Sequence, residues 1–213
     1  GGFATIANDA AVRLAASTVG TALTVTADAG NITDSGTVTA DNATFTTGTS
    51  GADITLDDTT TTNAIRFNTT GAGGDATYTR TGSINLGLSN VGGALALTAN
   101  GAGNITDSAI ATATGAASFT TVGGGSVTVD QLAVSGAIAV TTPGAATVQN
   151  TAGTTIIGPT SVTGLLTITG SGGVQFGSAA GNVISAGSLD VTAAGDITDT
   201  GRLAITGTSA LDA

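Results

Sequence analysis

The titratable side chains of this 213-residue chain are 14 aspartates, four arginines and one tyrosine; there is no histidine and no cysteine. The usual general base and the usual thiol nucleophile are therefore missing, and acid–base chemistry would fall to carboxylates. Asp57-Asp58 is the one adjacent acidic pair. Paired carboxyls for glycoside hydrolysis need about 5–9.5 Å between them. Neighbours on a strand point to opposite faces, and Thr59-Thr60-Thr61-Thr62 after the pair reads as a loop. Asp53 and Asp57 would share a face, but at about 13 Å on a straight strand. Neither spacing suits the reaction. Gly71-Ala72-Gly73-Gly74-Asp75-Ala76-Thr77 has the flavour of a calcium-binding β-roll, yet its glycines are out of register and it occurs once. Calcium takes several oxygen ligands, and a roll supplies them from consecutive copies, so a plain turn is expected. The expectation is no catalytic residue, no cofactor, no metal ligand and no enzymatic activity.

Thr-x-Thr triplets stand at Thr24/Thr26, Thr37/Thr39, Thr44/Thr46, Thr77/Thr79, Thr112/Thr114 and Thr167/Thr169. Ice binding on a flat face would need one triplet per coil at a constant step. Taken in order, these come at uneven steps, so solvent-facing strand threonines are the expectation. Arg66 and Arg80 are expected to be solvated or paired with nearby Asp.

The formal charge is −10, with Arg13, Arg66, Arg80 and Arg202 scattered. Phosphate backbones are held by clustered Lys or Arg, so nucleic acid is not an expected partner, nor is an anionic membrane. No apolar run reaches the roughly 18 residues of a membrane span. The chain starts and ends in mid-pattern, which suggests a segment of something longer.

What must position these residues is a repeat. Gly30-Asn31-Ile32-Thr33-Asp34-Ser35 returns 73 residues on as Gly103-Asn104-Ile105-Thr106-Asp107-Ser108, and 92 further on as Gly195-Asp196-Ile197-Thr198-Asp199-Thr200. Ala22–Ala27 and Phe45-Thr46-Thr47 flank the first copy; Ala94–Ala99 and Phe119-Thr120-Thr121 flank the second. Such self-similarity marks a repeat architecture. Gly30 and Gly103 are expected to supply turns, Asn31 and Asn104 to bond neighbouring backbone, Ile32, Ile105 and Ile197 to fill a core, and Asp34, Asp107 and Asp199 to cap the next turn.

Between the turns, apolar residues alternate with Thr and Ser, as in Leu23-Thr24-Val25-Thr26 and Ile65-Arg66-Phe67. Alternation of this kind sends one set inward and the other outward on a strand. It also argues against disorder, which the 34 glycines would otherwise suggest. Residues 1–21 are the least regular, with Val12 and Leu14 sharing one face. Phe45, Phe67, Phe119 and Phe176 are expected inside.

Many short strands suit an antiparallel sandwich or a parallel solenoid. The repeat exceeds one hairpin, and Asn100-Gly101 is the only Asn-Gly pair that could make a two-residue hairpin turn. The reading is therefore all-β: one parallel β-helix over 1–213, of about 11–12 coils of roughly 18–20 residues, with four turns per 73-residue unit. Residues 22–93 are related to 94–164.

The Gly-Asn-Ile-Thr-Asp-Ser motif followed by Ala43-Thr44-Phe45-Thr46-Thr47, in Thr/Gly/Ala-rich surroundings, resembles large bacterial exoproteins: the filamentous-haemagglutinin-like and autotransporter-like β-solenoid adhesins. The likeness covers roughly 21–213. It implies a right-handed coil and an extracellular or outer-membrane-attached location. It carries no functional residue across. The function this suggests is a structural, non-catalytic stalk or fibre segment; a filament, sheath or surface-layer subunit, a carbohydrate-binding or -cleaving β-helix and an ice-binding solenoid are the alternatives. Expected partners are neighbouring coils of the same chain or end-to-end copies, and a host or cell-surface glycan or protein.

Overall fold

The computed structural model describes residues 2–213. Among them there are 27 strands and no helix, and every strand pairing is parallel. That excludes the antiparallel sandwich. The chain is a β-solenoid of about ten coils.

Half-coils are of two kinds. Straight ones are single strands, such as Ala22–Ala27. Bent ones are two short strands with a corner between them, such as Ile32–Asp34 and Val38–Ala40. Straight and bent half-coils alternate along the chain and stack in two columns. In the first column, Ala4–Asn8, Ala22–Ala27, Asn42–Thr47 and Ile65–Thr69 lie one above another. Opposite them lie the bent pairs that begin at Val12, Ile32 and Ile54.

Then the columns exchange roles. Ala76–Thr81 is straight but sits on the bent pair of Ile54–Leu56, while Ile84–Leu86 with Ser89–Val91 is bent and sits on straight Ile65–Thr69. The straight strands Leu95–Asn100, Ala117–Thr121 and Ala137–Thr142 continue in the second column. At Ala146–Asn150 the roles change back, because this straight strand stacks on the bent Val127–Val134. Thereafter Thr160–Gly170 and Val183–Ala193 turn the corner as single strands, pairing in one column at their start and the other at their end.

Twelve straight and nine bent half-coils result. A coil takes 19 residues between Ala4 and Leu23 and 24 between Thr160 and Ile184. The coil is thus longer than the sequence suggested and the coils are fewer. The physical reason is the corner: the bent half-coil spends several residues without advancing the apolar alternation, and a count of alternating runs undercounts them. At one coil per about 4.8 Å, the rod is roughly 50 Å long.

Burial follows the pleat. Leu23, Val25 and Ala27 are buried while their neighbours are half-exposed. Val12, Leu14, Phe45, Phe67, Phe119 and Phe176 are all buried, in one interior that reaches from Val12 to Ala193. The described part of 1–21 proves regular: Ala4–Asn8 and Val12–Leu14 pair in the same columns. The first exchange is filled by aromatics. Phe45 and Phe67 stack at 6.4 Å between ring centres, and Tyr78 meets Phe67 from the other column at 5.9 Å. The Tyr78 hydroxyl donates to the Thr59 carbonyl at 2.8 Å, so the ring is buried with its polar end satisfied.

Candidate functional site

The recurring motif opens a bent half-coil, and its six residues divide the work between three coils. Gly30 lies at φ 97°, a left-handed turn that a side chain resists. Gly103 has a different reason: a Cβ there would land on the Gly82 carbonyl of the coil below. The isoleucines go inward; Ile32 and Ile105 are fully buried, while Ile197 is only partly covered, near the rod's end.

The polar residues make a two-way clamp. Backward, the Ser35 hydroxyl donates to the Leu14 carbonyl at 3.1 Å, Ser108 to Leu86 at 3.4 Å and Thr200 to Phe176 at 3.4 Å. Forward, the Asn31 oxygen accepts the Asp53 N–H and that of Asn104 accepts the Ser126 N–H, both at 2.9 Å. Asp34 accepts the N–H groups of Asp57 and Asp58, each at 3.0 Å, and the Thr59 hydroxyl at 2.7 Å. Asp107 accepts those of Asp130 at 3.1 Å and Gln131 at 2.9 Å. Corner residues bend away from the β-ladder, so their N–H groups need other acceptors; the carboxylate below supplies them. Asp34 and Asp107 therefore cap a turn as expected, and the turn lies in the following coil. Asp199 also caps a turn, but the one in its own coil: it accepts the Gly201 N–H at 2.8 Å.

A side-chain ladder continues from Asn31, but through aspartates. Asp53 accepts the Asp75 N–H at 2.9 Å, and Asp75 accepts the Ala94 N–H at 2.7 Å. An oxygen acceptor suffices at each rung, which is why Asp196 can replace Asn in the third copy.

Asp57-Asp58 occupies the corner between Ile54–Leu56 and Thr59–Thr61. The following threonines form a strand with Thr59 and Thr61 buried, where the sequence suggested a loop. Thr59 can face inward because its hydroxyl finds Asp34. The Asp57 carboxyl is raised above the ordinary carboxylate value, first by its hydrogen bond with Asp34 and then by that group's charge. Asp107 is raised mainly by burial, against which the Gln131 and Asp130 N–H groups pull it down. The Asp57 shift thus comes from the clamp, and the Asp107 shift from burial that the clamp partly offsets.

The Gly71–Thr77 segment joins two straight strands at the first exchange, with Gly71 and Gly73 at positive φ. Among the described residues no group of three or more Asp side chains is placed to hold a metal ion. Arg80 donates to the Thr61 carbonyl at 2.6 Å rather than to an aspartate. Arg66 lies across Gly87, where a side chain would meet it. Among the described residues no helix is long and apolar enough to cross a membrane.

Two features escaped the sequence reading. One is inside: Thr47, Thr69 and Thr121, at the ends of straight strands, are buried and donate to Ala52, Gly74 and Gly125 carbonyls. Each lies two residues after Phe45, Phe67 or Phe119, so period-two alternation already put it on the inner face. The other is outside: Thr79, Thr98, Thr120, Thr141, Ser161 and Ser185 lie in register up the second column. Thr24/Thr26 and Thr44/Thr46 are likewise one coil apart. Reading the triplets in sequence order mixed the two columns and hid this register. Shallow open grooves beside Ser161 and Ser185 are lined by Thr141, Pro159, Val183 and Thr206.

An unbroken stack of parallel coils, stapled by a recurring motif, defines a repeat protein of β-solenoid architecture. The chain belongs to the family described as repeats of unknown function (DUF5649), whose model matches residues 1–70, 73–142 and 177–213. No curated protein and no solved structure matches it. The first two matches coincide with the exchange of columns: Ala4 to Thr69 and Ala76 to Thr142 each hold four straight and three bent half-coils. The family's unit is therefore three and a half coils, where the sequence suggested four.

Proposed function

We propose that this chain is a non-catalytic length element: a stiff rod segment of a large, secreted or surface-displayed bacterial protein of the adhesin or exoprotein kind. One observation carries the reading. The interior runs without a break from Val12 to Ala193, and the strongest motif in the sequence is spent on joining coil to coil. A chain whose most regular residues serve stacking is built for extension and stiffness. The resemblance to solenoid adhesins supports the extracellular setting, and an acidic surface of net charge −10 supports a rod that does not associate sideways.

Tandem copies of the repeat test it. Each added pair of 3.5-coil repeats lengthens the particle by about 34 Å at constant width, measured by small-angle scattering or negative-stain imaging. Growth in width, or collapse to a globule, overturns the proposal.

A further inference from the structure

At each column exchange a straight strand is laid on a bent half-coil, and the corner strand of that half-coil loses the rung that would have covered it. Thr59–Thr61 is paired with Val38–Ala40 below and forms an edge of its three-stranded sheet. Ala76–Thr81 covers Ile54–Leu56 and then runs straight on. On the other side of the rod, Leu132–Val134 is paired with Ala111–Ala113 below, while the pairing above stops where Leu132 meets Asn150. Val134 is left with no residue over it. Both edges lie in mid-rod, at the same positions of the 73-residue repeat, and both follow from the exchange itself.

Side chains close both edges. At the first, the Tyr78 hydroxyl donates to the Thr59 carbonyl at 2.8 Å and the Arg80 guanidinium to the Thr61 carbonyl at 2.6 Å. At the second, the Thr151 hydroxyl donates to the Leu132 carbonyl at 2.9 Å. The Asn150 amide does more. Its oxygen accepts the Val134 N–H at 2.8 Å, and its nitrogen donates to the Val134 carbonyl at 3.0 Å. A planar side-chain amide thus supplies the donor and acceptor of a backbone rung. Thr61 and Val134 are both buried, and a buried backbone group without a partner is destabilising. We propose that Arg80 and Asn150 are the residues that permit the column exchange, each standing in for the corner rung that the exchange removes.

Residue type separates these two positions from their counterparts. Each is the last inward residue of a straight strand. Where straight lies on straight, that position is short: Ala27, Thr47 and Thr69 in the first column, Ala99, Thr121 and Thr142 in the second. Ala43-Thr44-Phe45-Thr46-Thr47 opens as Ala76-Thr77-Tyr78-Thr79-Arg80 and Ala146-Thr147-Val148-Gln149-Asn150 do. The first ends in threonine and lies on a straight strand; the other two end in a guanidinium or an amide and lie on a bent half-coil. Thr47 spends its hydroxyl on the Ala52 carbonyl of its own turn, whereas Arg80 and Asn150 reach the coil below. The caps thereby fix where the repeat gains its odd half-coil, and so to which side the next motif copy turns. Open edges recruit strands from other chains, and the same caps occupy the carbonyls that such a strand would use.

The test follows amide exchange in the isotopically labelled 213-residue chain. Asn150→Thr installs the residue of the straight-on-straight positions, whose hydroxyl cannot span both groups of Val134. Exchange at Val134 is expected to quicken by about tenfold or more, while Val148, in the strand that carries the substitution, changes by less than about threefold. Arg80 is half-buried and gives a second arm that leaves the interior filled, so it decides if Asn150→Thr does not fold. Arg80→Met keeps the stem and loses the donor. Exchange at Thr62, whose N–H bonds the Ala40 carbonyl at the end of the corner strand, should then quicken about tenfold; Arg80→Lys keeps a donor and stays within about threefold of the parent. Val134 unchanged in Asn150→Thr, or equal exchange at Thr62 in Arg80→Met and Arg80→Lys, overturns the proposal. So does acceleration spread evenly over both columns, because the side chain would then be serving the core as a whole. The rod reading survives each of these failures, because it rests on the interior.

Discussion

The same letter at the same motif position is predicted to matter very differently along this rod. Asp34 satisfies two corner N–H groups and the Thr59 hydroxyl. Asp107 satisfies two N–H groups from a half-buried site. Asp199 satisfies one, locally, while exposed. A typical hydrogen bond contributes a net ~1 kcal/mol, and these corners are open enough for water to replace part of each loss. Asp34→Ala should then cost about 2–3 kcal/mol and Asp107→Ala about 1–2, the latter reduced because removing a buried carboxylate also removes its desolvation cost. Asp199→Ala should cost at most about 0.5 kcal/mol. Asp34→Asn keeps one acceptor oxygen and should fall between Asp34→Ala and the parent. Urea unfolding followed by far-UV circular dichroism reads all four as shifts of midpoint at constant slope. If Asp199→Ala shifted the midpoint as far as Asp34→Ala, the aspartate would be serving its own coil, and the forward clamp would be wrong.

Two further outcomes follow from the interior and from the raised carboxyls. Phe67→Ala removes the ring that touches both Phe45 and Tyr78 at the first exchange and should cost about 3–5 kcal/mol in urea unfolding; Phe3→Ala, at an 81% exposed ring, should be near neutral. Asp107 titrates above the ordinary carboxylate value in the folded chain, so between the unfolded and folded values the native state holds more protons than the unfolded one. The sign is that stability falls as pH rises through that window. The thermal midpoint of the parent should therefore drop more steeply with rising pH just above the ordinary carboxylate range than that of Asp107→Asn, which has nothing to titrate there.

Fold class was legible because its signal is local. Alternation at Leu23-Thr24-Val25-Thr26 needs only the pleat to be read, and the buried and half-exposed sequence of that strand matches it. Ile32, Phe45, Phe67 and Phe119 could be placed inside for the same reason. The roles within the motif were half legible. That Asp34 caps a turn follows from its type; that the turn begins 23 residues later does not, because capping motifs known from single chains reach only a few residues. The buried threonines were legible in principle from Phe45 and Thr47 sharing a face, but a hydroxyl inside needs a partner, and the Ala52 carbonyl that supplies it belongs to a turn whose shape the sequence does not reveal. The coil count failed at the corners, where Ser35-Gly36-Thr37 and Asp57-Asp58 lengthen the coil without adding a strand of their own.

The least legible feature is the one that organises the rest. A repeat of three and a half coils returns the chain to the opposite column, so consecutive motif copies, though near-identical in sequence, lie on opposite sides of the rod. Ile32 stacks with Ile54 in the second column, Ile105 with Val127 in the first, and Ile197 on Val174 in the second again. The spacing to the third copy is larger because one additional coil, from Ala146 through Val162, intervenes; adding a whole coil preserves the alternation that half a coil creates. Any surface feature tied to the motif must then alternate sides along the rod, and its spatial period is two repeats, about 34 Å. A hydroxyl ladder escapes this, since Thr79 through Ser185 stays in one column across the second exchange. Clamps that alternate spread the stapling evenly over both faces. Backbone ladders already join the coils in both columns, and an odd number of half-coils per repeat keeps the added side-chain staples from gathering on one side of the rod.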